Sequence, residues 1–219
     1  MIQLKNISKK FVSGKSATNA LFDVNLNIEE GQFIALIGPS GSGKSTLLNL
    51  IGGLDTPSEG SIFVAGKDIS SYNDKELSKY RNNDIGFVFQ EFHLEHFLSV
   101  KNNVLLPTYF NHPTKQDEIY AEKLIKEVEL SNKTDSKINE LSGGQKQRTA
   151  IARALINKPK IILADEPTGN LDLKTGQTII DLLKKLQKAH KITMIIATHD
   201  PLVAKAAGKI VEIKDGKIV

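Results

Sequence analysis

The chain has no cysteine, which excludes disulfide cross-links and thiolate metal sites and permits a reducing compartment. No uninterrupted apolar run approaches the ~20 residues needed to cross a bilayer. The start, Met1-Ile2-Gln3-Leu4-Lys5, lacks the charged-then-apolar layout of a signal peptide. We expect the polypeptide to be soluble by itself and to meet a membrane only through a partner. A block of like charge is also missing. The 29 Lys and Arg against 25 Asp and Glu leave a net charge of +4, scattered as a solvated surface, so nucleic acid is not an expected partner. No repeat, low-complexity stretch or long linker divides the 219 residues. They suit one domain, 1–219, with a core of its own.

The hydropathy pattern supplies the architecture. Ile2, Leu4 and Ile7 punctuate one strand; Val24, Leu26 and Ile28 alternate in another. Phe33-Ile34-Ala35-Leu36-Ile37 is a continuous apolar run, as a strand covered on both faces requires. It leads into a Gly-rich loop and a helix through Thr46 to Ile51. Ile62–Val64 and Ile85–Phe89 read as further strands. Between about 91 and 140 the texture becomes helical: Ala121, Leu124, Ile125 and Val128 share one helix face, and Pro107 and Pro113 break the approach to it. This stretch reads as a lobe inserted into an α/β core. A helix from Ser142 towards Ile156, a strand at Ile161–Ala164, a helix near Thr175 to Lys188 and a strand at Ile192–Ala197 follow. Alternating helices and buried strands predict a largely parallel sheet. The end soon after the Asp215-Gly216 turn leaves no expected room for an accessory domain.

The chemistry begins at Gly38-Pro39-Ser40-Gly41-Ser42-Gly43-Lys44-Ser45-Thr46. Gly38-x4-Gly43-Lys44-Ser45 fits the phosphate-loop pattern in its required strand–loop–helix setting. The glycines let backbone N–H groups turn inward on phosphates, and the helix presents its positive end. Lys44 would reach the β- and γ-phosphates, and the Ser45 hydroxyl would ligate Mg2+. A dinucleotide site is excluded by the glycine spacing and by the lysine.

Asp165 and Glu166 end the Ile161–Ala164 strand. Asp165 can hold Mg2+, directly or through water, and Glu166 is placed to polarise an attacking water as general base. Gln90 ends the Ile85–Phe89 strand and could ligand Mg2+ or its water, sensing the γ-phosphate. His199 follows the Ile192–Ala197 strand, where ligands gather in open α/β sheets, and is expected at the γ-phosphate. The run Leu141-Ser142-Gly143-Gly144-Gln145 opens a helix that Ser142 can cap, and Gly143 and Gly144 let a phosphate approach its N–H groups. One chain already has a complete phosphate site. A second anion-binding helix end is explained by an antiparallel pair of subunits, each placing this run on the nucleotide held by the other.

These motifs, with Asn170-Leu171-Asp172, resemble in order and spacing the ATP-binding-cassette (ABC) ATPase family over essentially the whole chain. The resemblance implies a P-loop NTPase core with a mostly parallel sheet, an N-terminal antiparallel β subdomain and an inserted helical subdomain. It also implies ATP and Mg2+ as ligands, homodimerisation on ATP binding and integral membrane permease partners. Phe11 would stack on adenine; as a residue read alone it could be core. Leu171-Asp172 looks like the loop that crosses the dimer interface. Asn19 to Val24, Gly53-Leu54-Asp55, Pro57 to Gly60 and Phe87 to Gln90 are similar to the lipoprotein-release and macrolide-exporter group, at the cytoplasmic face of bacterial inner membranes. Bacitracin-type peptide-resistance transporters share much of this pattern. The competing class, soluble ABC ATPases acting on ribosomes or DNA, usually carries two fused cassettes or a long coiled-coil insertion. Here about fifty residues separate Gln90 from Leu141. The run His93 to Leu98 would either contact a membrane partner or belong to the lobe core.

Overall fold

The computed structural model describes residues 1–14 and 16–219. Strands β3 (Phe33–Ile37), β7 (Ile161–Asp165) and β8 (Thr193–Ala197) are almost entirely buried. They read as unbroken apolar runs because both of their faces are covered. With β6 (Ile85–Phe89) and β9 (Lys209–Lys214) they run parallel in the order β9-β3-β8-β7-β6, and β10 (Lys217–Ile218) closes the sheet antiparallel to β9. Period-two alternation sorts these side chains between two core clusters. Ile34, Leu36, Leu163 and Ile195 lie in one; Ala35, Ile162, Ala164 and Ile196 lie in the other.

The first cluster joins the main sheet to helix α1 (Lys44–Ile51) and to a separate antiparallel sheet. That sheet comprises β1 (Ile2–Ser13), β2 (Ser16–Ile28), β4 (Glu59–Val64) and β5 (Lys67–Asp68), in the order β2-β1-β4-β5. Ile2, Leu4, Ile7, Val24, Leu26 and Ile28 all point into it, as their spacing predicts. The second cluster joins the other face to α5 (Gly143–Leu155), α6 (Leu173–His190) and the lobe helices α3 (Val100–Leu105) and α4 (Lys115–Glu127). Ala121, Leu124, Ile125 and Val128 are buried there at 1% exposure or less. The Leu, Ile and Val side chains among them each contribute roughly 1.5–3 kcal/mol through burial.

The structure departs from the sequence reading at one helix start and in two added helices. Helix α6 starts at Leu173, two residues early, because the Asp172 carboxylate accepts from the Thr175 N–H at 3.0 Å and caps it. Helix α2 (Asp74–Asp84) was not expected: it buries only Leu77 and Tyr80. Short α7 (Pro201–Ala206) follows β8, with Asp200 as its cap. Among the described residues, no helix is long and apolar enough to cross a membrane.

The consequence for function lies at one edge. In a parallel sheet all strands end on the same side, and ligands bind outside those carboxyl ends. The loops leaving β3, β8, β7 and β6 therefore emerge side by side. They carry Gly38–Gly43, Thr198–His199, Glu166 and Gln90 respectively.

Candidate functional site

The loop after β3 turns tightly through Gly38 (φ 150°) and Gly43 (φ 107°). A Cβ at Gly38 would stand 2.1 Å from the Ile213 carbonyl oxygen, and one at Gly43 2.5 Å from that of Ala20. Neither position admits any other residue without displacing backbone. Helix α1 then starts with no side-chain cap and no acidic residue in its first turn. Its leading N–H groups lack intrahelical partners, and the positive end of its dipole is left for an anion. Lys44 is buried, and its ammonium donates to the carbonyls of Gly38 (2.9 Å) and Pro39 (3.0 Å).

These groups line a cleft of about 610 Å3 formed by Ala20, Ser40, Gly41, Gly43, Lys44, Ser45, Thr46, Gln90, Glu166 and His199. All but Ala20 are residues the sequence nominates. Gly38 and Pro39 support the cleft from behind through Lys44, and Ser42 turns a buried hydroxyl inward. Asp165 lies half-buried at the end of β7. Burial raises its carboxyl pKa above the usual carboxylate range; the Ser45 hydroxyl and the Lys44 ammonium act against that, and Glu166 adds to it.

Glu166 occupies a left-handed backbone conformation (φ 45°), which costs a non-glycine residue about 1–2 kcal/mol. Its N–H donates to the Ala197 carbonyl at 2.9 Å, fixing the bend against the end of β8. One carboxylate oxygen accepts from the Thr198 hydroxyl at 3.0 Å; the other lies 2.7 Å from His199 Nδ1. Gln90 is tied twice to Asn170. Its side-chain amide nitrogen donates to the Asn170 side-chain oxygen (3.2 Å), and its backbone carbonyl accepts from the Asn170 side-chain amide (3.0 Å).

Ser142, Gly143, Gly144 and Gln145 do not line this cleft. Ser142 caps α5 in a reciprocal box with Gln145, the two bonds measuring 3.0 and 3.4 Å. Gly143 and Gly144 sit against Leu171 and Thr175 at the start of α6. Phe11 is 47% exposed on β1, with the Lys9 ammonium 5.0 Å from its ring centre, so it is not a core residue. The His93–Leu98 run divides: Leu94 is buried, whereas Phe97 is 73% exposed.

Several supporting residues were not legible as such. Thr198 and Asn170 hold the Glu166 and Gln90 side chains across sequence separations of 32 and 80 residues. Fully buried Gln147, on α5, donates to the Pro167 carbonyl at 2.6 Å, just beyond Glu166. No local pattern marks these contacts, since each is made only when distant strands and helices meet.

Comparison with known proteins agrees with this geometry. The family profile described as ABC transporter matches residues 21–169. An uncharacterized ABC transporter ATP-binding protein of Bacillus subtilis, YknY, is 48% identical over 220 residues, covering all of this chain and 95% of that one. The macrolide export ATP-binding/permease protein MacB of Campylobacter jejuni is also 48% identical, over 221 residues; the match spans this whole chain but 34% of MacB. A dimeric structure of the ATP-binding cassette MJ0796, described as a post-hydrolysis state bound to ADP and Pi, superposes with a TM-score of 0.91 at 46% identity. It covers 100% of this chain and 96% of that one; the MJ0796 protein is from Methanocaldococcus jannaschii. The chain belongs to the ABC transporter family, as an ATP-binding, ATP-hydrolysing subunit.

Proposed function

We propose that two copies of this chain close head to tail around two ATP molecules and that hydrolysis, by reopening the pair, drives a separate membrane permease. The observation that carries this reading is the division of the site. The loop, Lys44, Gln90, Glu166 and His199 line one cleft, while the Ser142–Gln145 helix start lies outside it. An anion-binding helix end that cannot serve its own cleft suits the nucleotide of a second copy.

Within each cleft, the loop amides and Lys44 hold the β- and γ-phosphates, and Phe11 stacks on adenine through its exposed ring. The Ser45 hydroxyl, the Gln90 side-chain oxygen and the Asp165 carboxylate form a set of hard oxygen donors that suits Mg2+. When bound, that ion neutralises charge developing on the phosphate oxygens. Glu166, oriented by Thr198 and His199, accepts a proton from water as the water oxygen attacks the γ-phosphorus. The bond from that phosphorus to the bridging oxygen breaks, yielding ADP and phosphate. His199 contacts the γ-phosphate, and Gln90 registers its loss.

The helical lobe, about 91–140, offers exposed Phe97, Tyr109 and Phe110 to the permease on the cytoplasmic face of a bacterial inner membrane. Among cargo classes we favour lipoprotein release or efflux of a macrolide- or peptide-like substrate. The 48% identity to a macrolide exporter supports this class. The test is co-purification of tagged Glu166→Gln from the host's detergent-solubilised membranes with ATP and Mg2+, read by mass spectrometry. A polytopic membrane protein is expected. Recovery of ribosomes or DNA-bound factors without a membrane protein overturns the transporter reading.

A further inference from the structure

Arg153 lies near the C-terminal end of α5, ten residues beyond the Gly143 start of that helix. Its guanidinium reaches across to the loop that leaves β6. One terminal nitrogen donates to the Phe92 carbonyl at 2.8 Å and the other to the His93 carbonyl. Both of these residues are non-glycines at positive φ, 59° and 47°. Such a pair of left-handed residues persists only where its surroundings hold it. The planar fork of an arginine, with its donors fixed relative to one another, suits two successive carbonyls. The loop's far side is fastened separately: buried Asn103 of α3 accepts from the Glu95 N–H at 2.8 Å and donates to the Glu95 and Ser99 carbonyls at 3.0 Å. Gln90 therefore precedes by two residues a strained turn whose fastening to the core helix is Arg153.

The two elements are also pressed together behind the turn. A Cβ on Gly86 of β6 would stand 2.3 Å from the Ala154 carbonyl oxygen of α5. The strand that delivers Gln90 thus rides directly on the helix that begins with the Ser142–Gln145 run.

We propose that Arg153 is a positioning residue for Gln90, clamping the Phe92–His93 turn onto α5 so that Gln90 stands in register with that helix. The inference rests on the place given to Gln90 above, as a donor to Mg2+ that registers the γ-phosphate. Loss of the clamp lets the two left-handed residues relax and displaces Gln90, while the phosphate loop and Lys44 stay in place. The defect then falls on turnover rather than on ATP binding.

The test is a double-mutant cycle of steady-state ATPase kinetics on Arg153→Ala, Gln90→Ala and the double variant of the full chain, with thermal unfolding alongside. Arg153→Ala is expected to lower kcat about 10-fold while KM for ATP moves less than about 2-fold. In the Gln90→Ala background the same change is expected to lower kcat no further, because residues acting through one another are not additive. Arg153→Lys, which keeps the charge but not the fork, is expected to fall between wild type and Arg153→Ala and likewise to lose its effect in the Gln90→Ala background. It carries the cycle if Arg153→Ala does not fold. A wild-type kcat in Arg153→Ala, or an undiminished drop in the Gln90→Ala background, overturns the inference and leaves the role of Gln90 standing. A wild-type kcat in Gln90→Ala overturns both.

Discussion

His199 Nδ1 lies 2.7 Å from one oxygen of the Glu166 carboxylate, and Thr198 donates to the other at 3.0 Å. Two consecutive residues beyond β8 thus hold both oxygens of a carboxylate beyond β7. The strands are neighbours in parallel register, with Asp165 opposite Ala197, so the contact follows from strand order. Glu166 is 18% exposed and His199 76%: the imidazole forms the outer wall of the site and the carboxylate the inner one. Orientation of this carboxylate is built into the sheet.

Removing that outer wall affects chemistry more than affinity. His199→Ala is expected to lower kcat by about 100-fold, within the span associated with a positioned acid–base group. The dissociation constant for ATP is expected to change only a few-fold. Single-turnover hydrolysis set beside equilibrium nucleotide binding separates the two quantities. Equal losses in both would mean that His199 serves binding instead.

Lys44 carries the opposite expectation. Its ammonium is held inside the loop by the Gly38 and Pro39 carbonyls, and its proposed role is to hold the phosphates there. A charge-assisted hydrogen bond contributes about 1.5–3 kcal/mol, and Lys44→Ala is expected to weaken ATP binding at least about 10-fold. Isothermal titration with ATP provides the check, and unchanged affinity would contradict the cradle.

Tyr80 tests the packing under the α1 end of the nucleotide loop. Its buried hydroxyl donates to the Ile51 carbonyl at 2.7 Å, at the last residue of α1. Tyr80→Phe leaves that carbonyl unpaired and is expected to cost about 1–3 kcal/mol, lowering Tm by several degrees at about 2–4 °C per kcal/mol. Burial, with Asp84 and Tyr72 adding, holds the phenol well above its ordinary value of 10.0. Above that pH the unfolded chain gives up the proton while the folded chain keeps it. The contribution to stability is therefore intact below pH 10 and declines as pH rises further. Thermal melts between pH 8 and 11 are expected to show this decline in the wild type and a weaker one in Tyr80→Phe.

The sequence showed what depends on local pattern. Buried parallel strands are continuous apolar runs, and the phosphate loop is a fixed glycine spacing, so β3, β7, β8 and the loop were all readable. Helix α2 was missed because Asp74–Asp84 is mostly charged and buries only two side chains. A signal was available in Asn73 and Glu76, three apart, which form a reciprocal capping box. The left-handed bend at Glu166 and the partners Thr198, Gln147 and Arg153 had no such mark, and Asn170, though part of a motif, gave no sign of its tie to Gln90. Each depends on which strands and helices become neighbours. Phe11 and the His93–Leu98 run were open because an aromatic residue in a strand or loop can face either way, and burial alone decides.

The most direct test of the account is the mass of Glu166→Gln in solution with ATP and Mg2+, by size-exclusion chromatography with light scattering. Two copies should close on ATP and remain closed when the base is disabled, so a species of twice the monomer mass is predicted, dependent on ATP. The wild-type chain under the same conditions should return to monomer as ATP is consumed. A Glu166→Gln chain that binds ATP yet stays monomeric at every concentration would contradict the head-to-tail closure on which the mechanism rests.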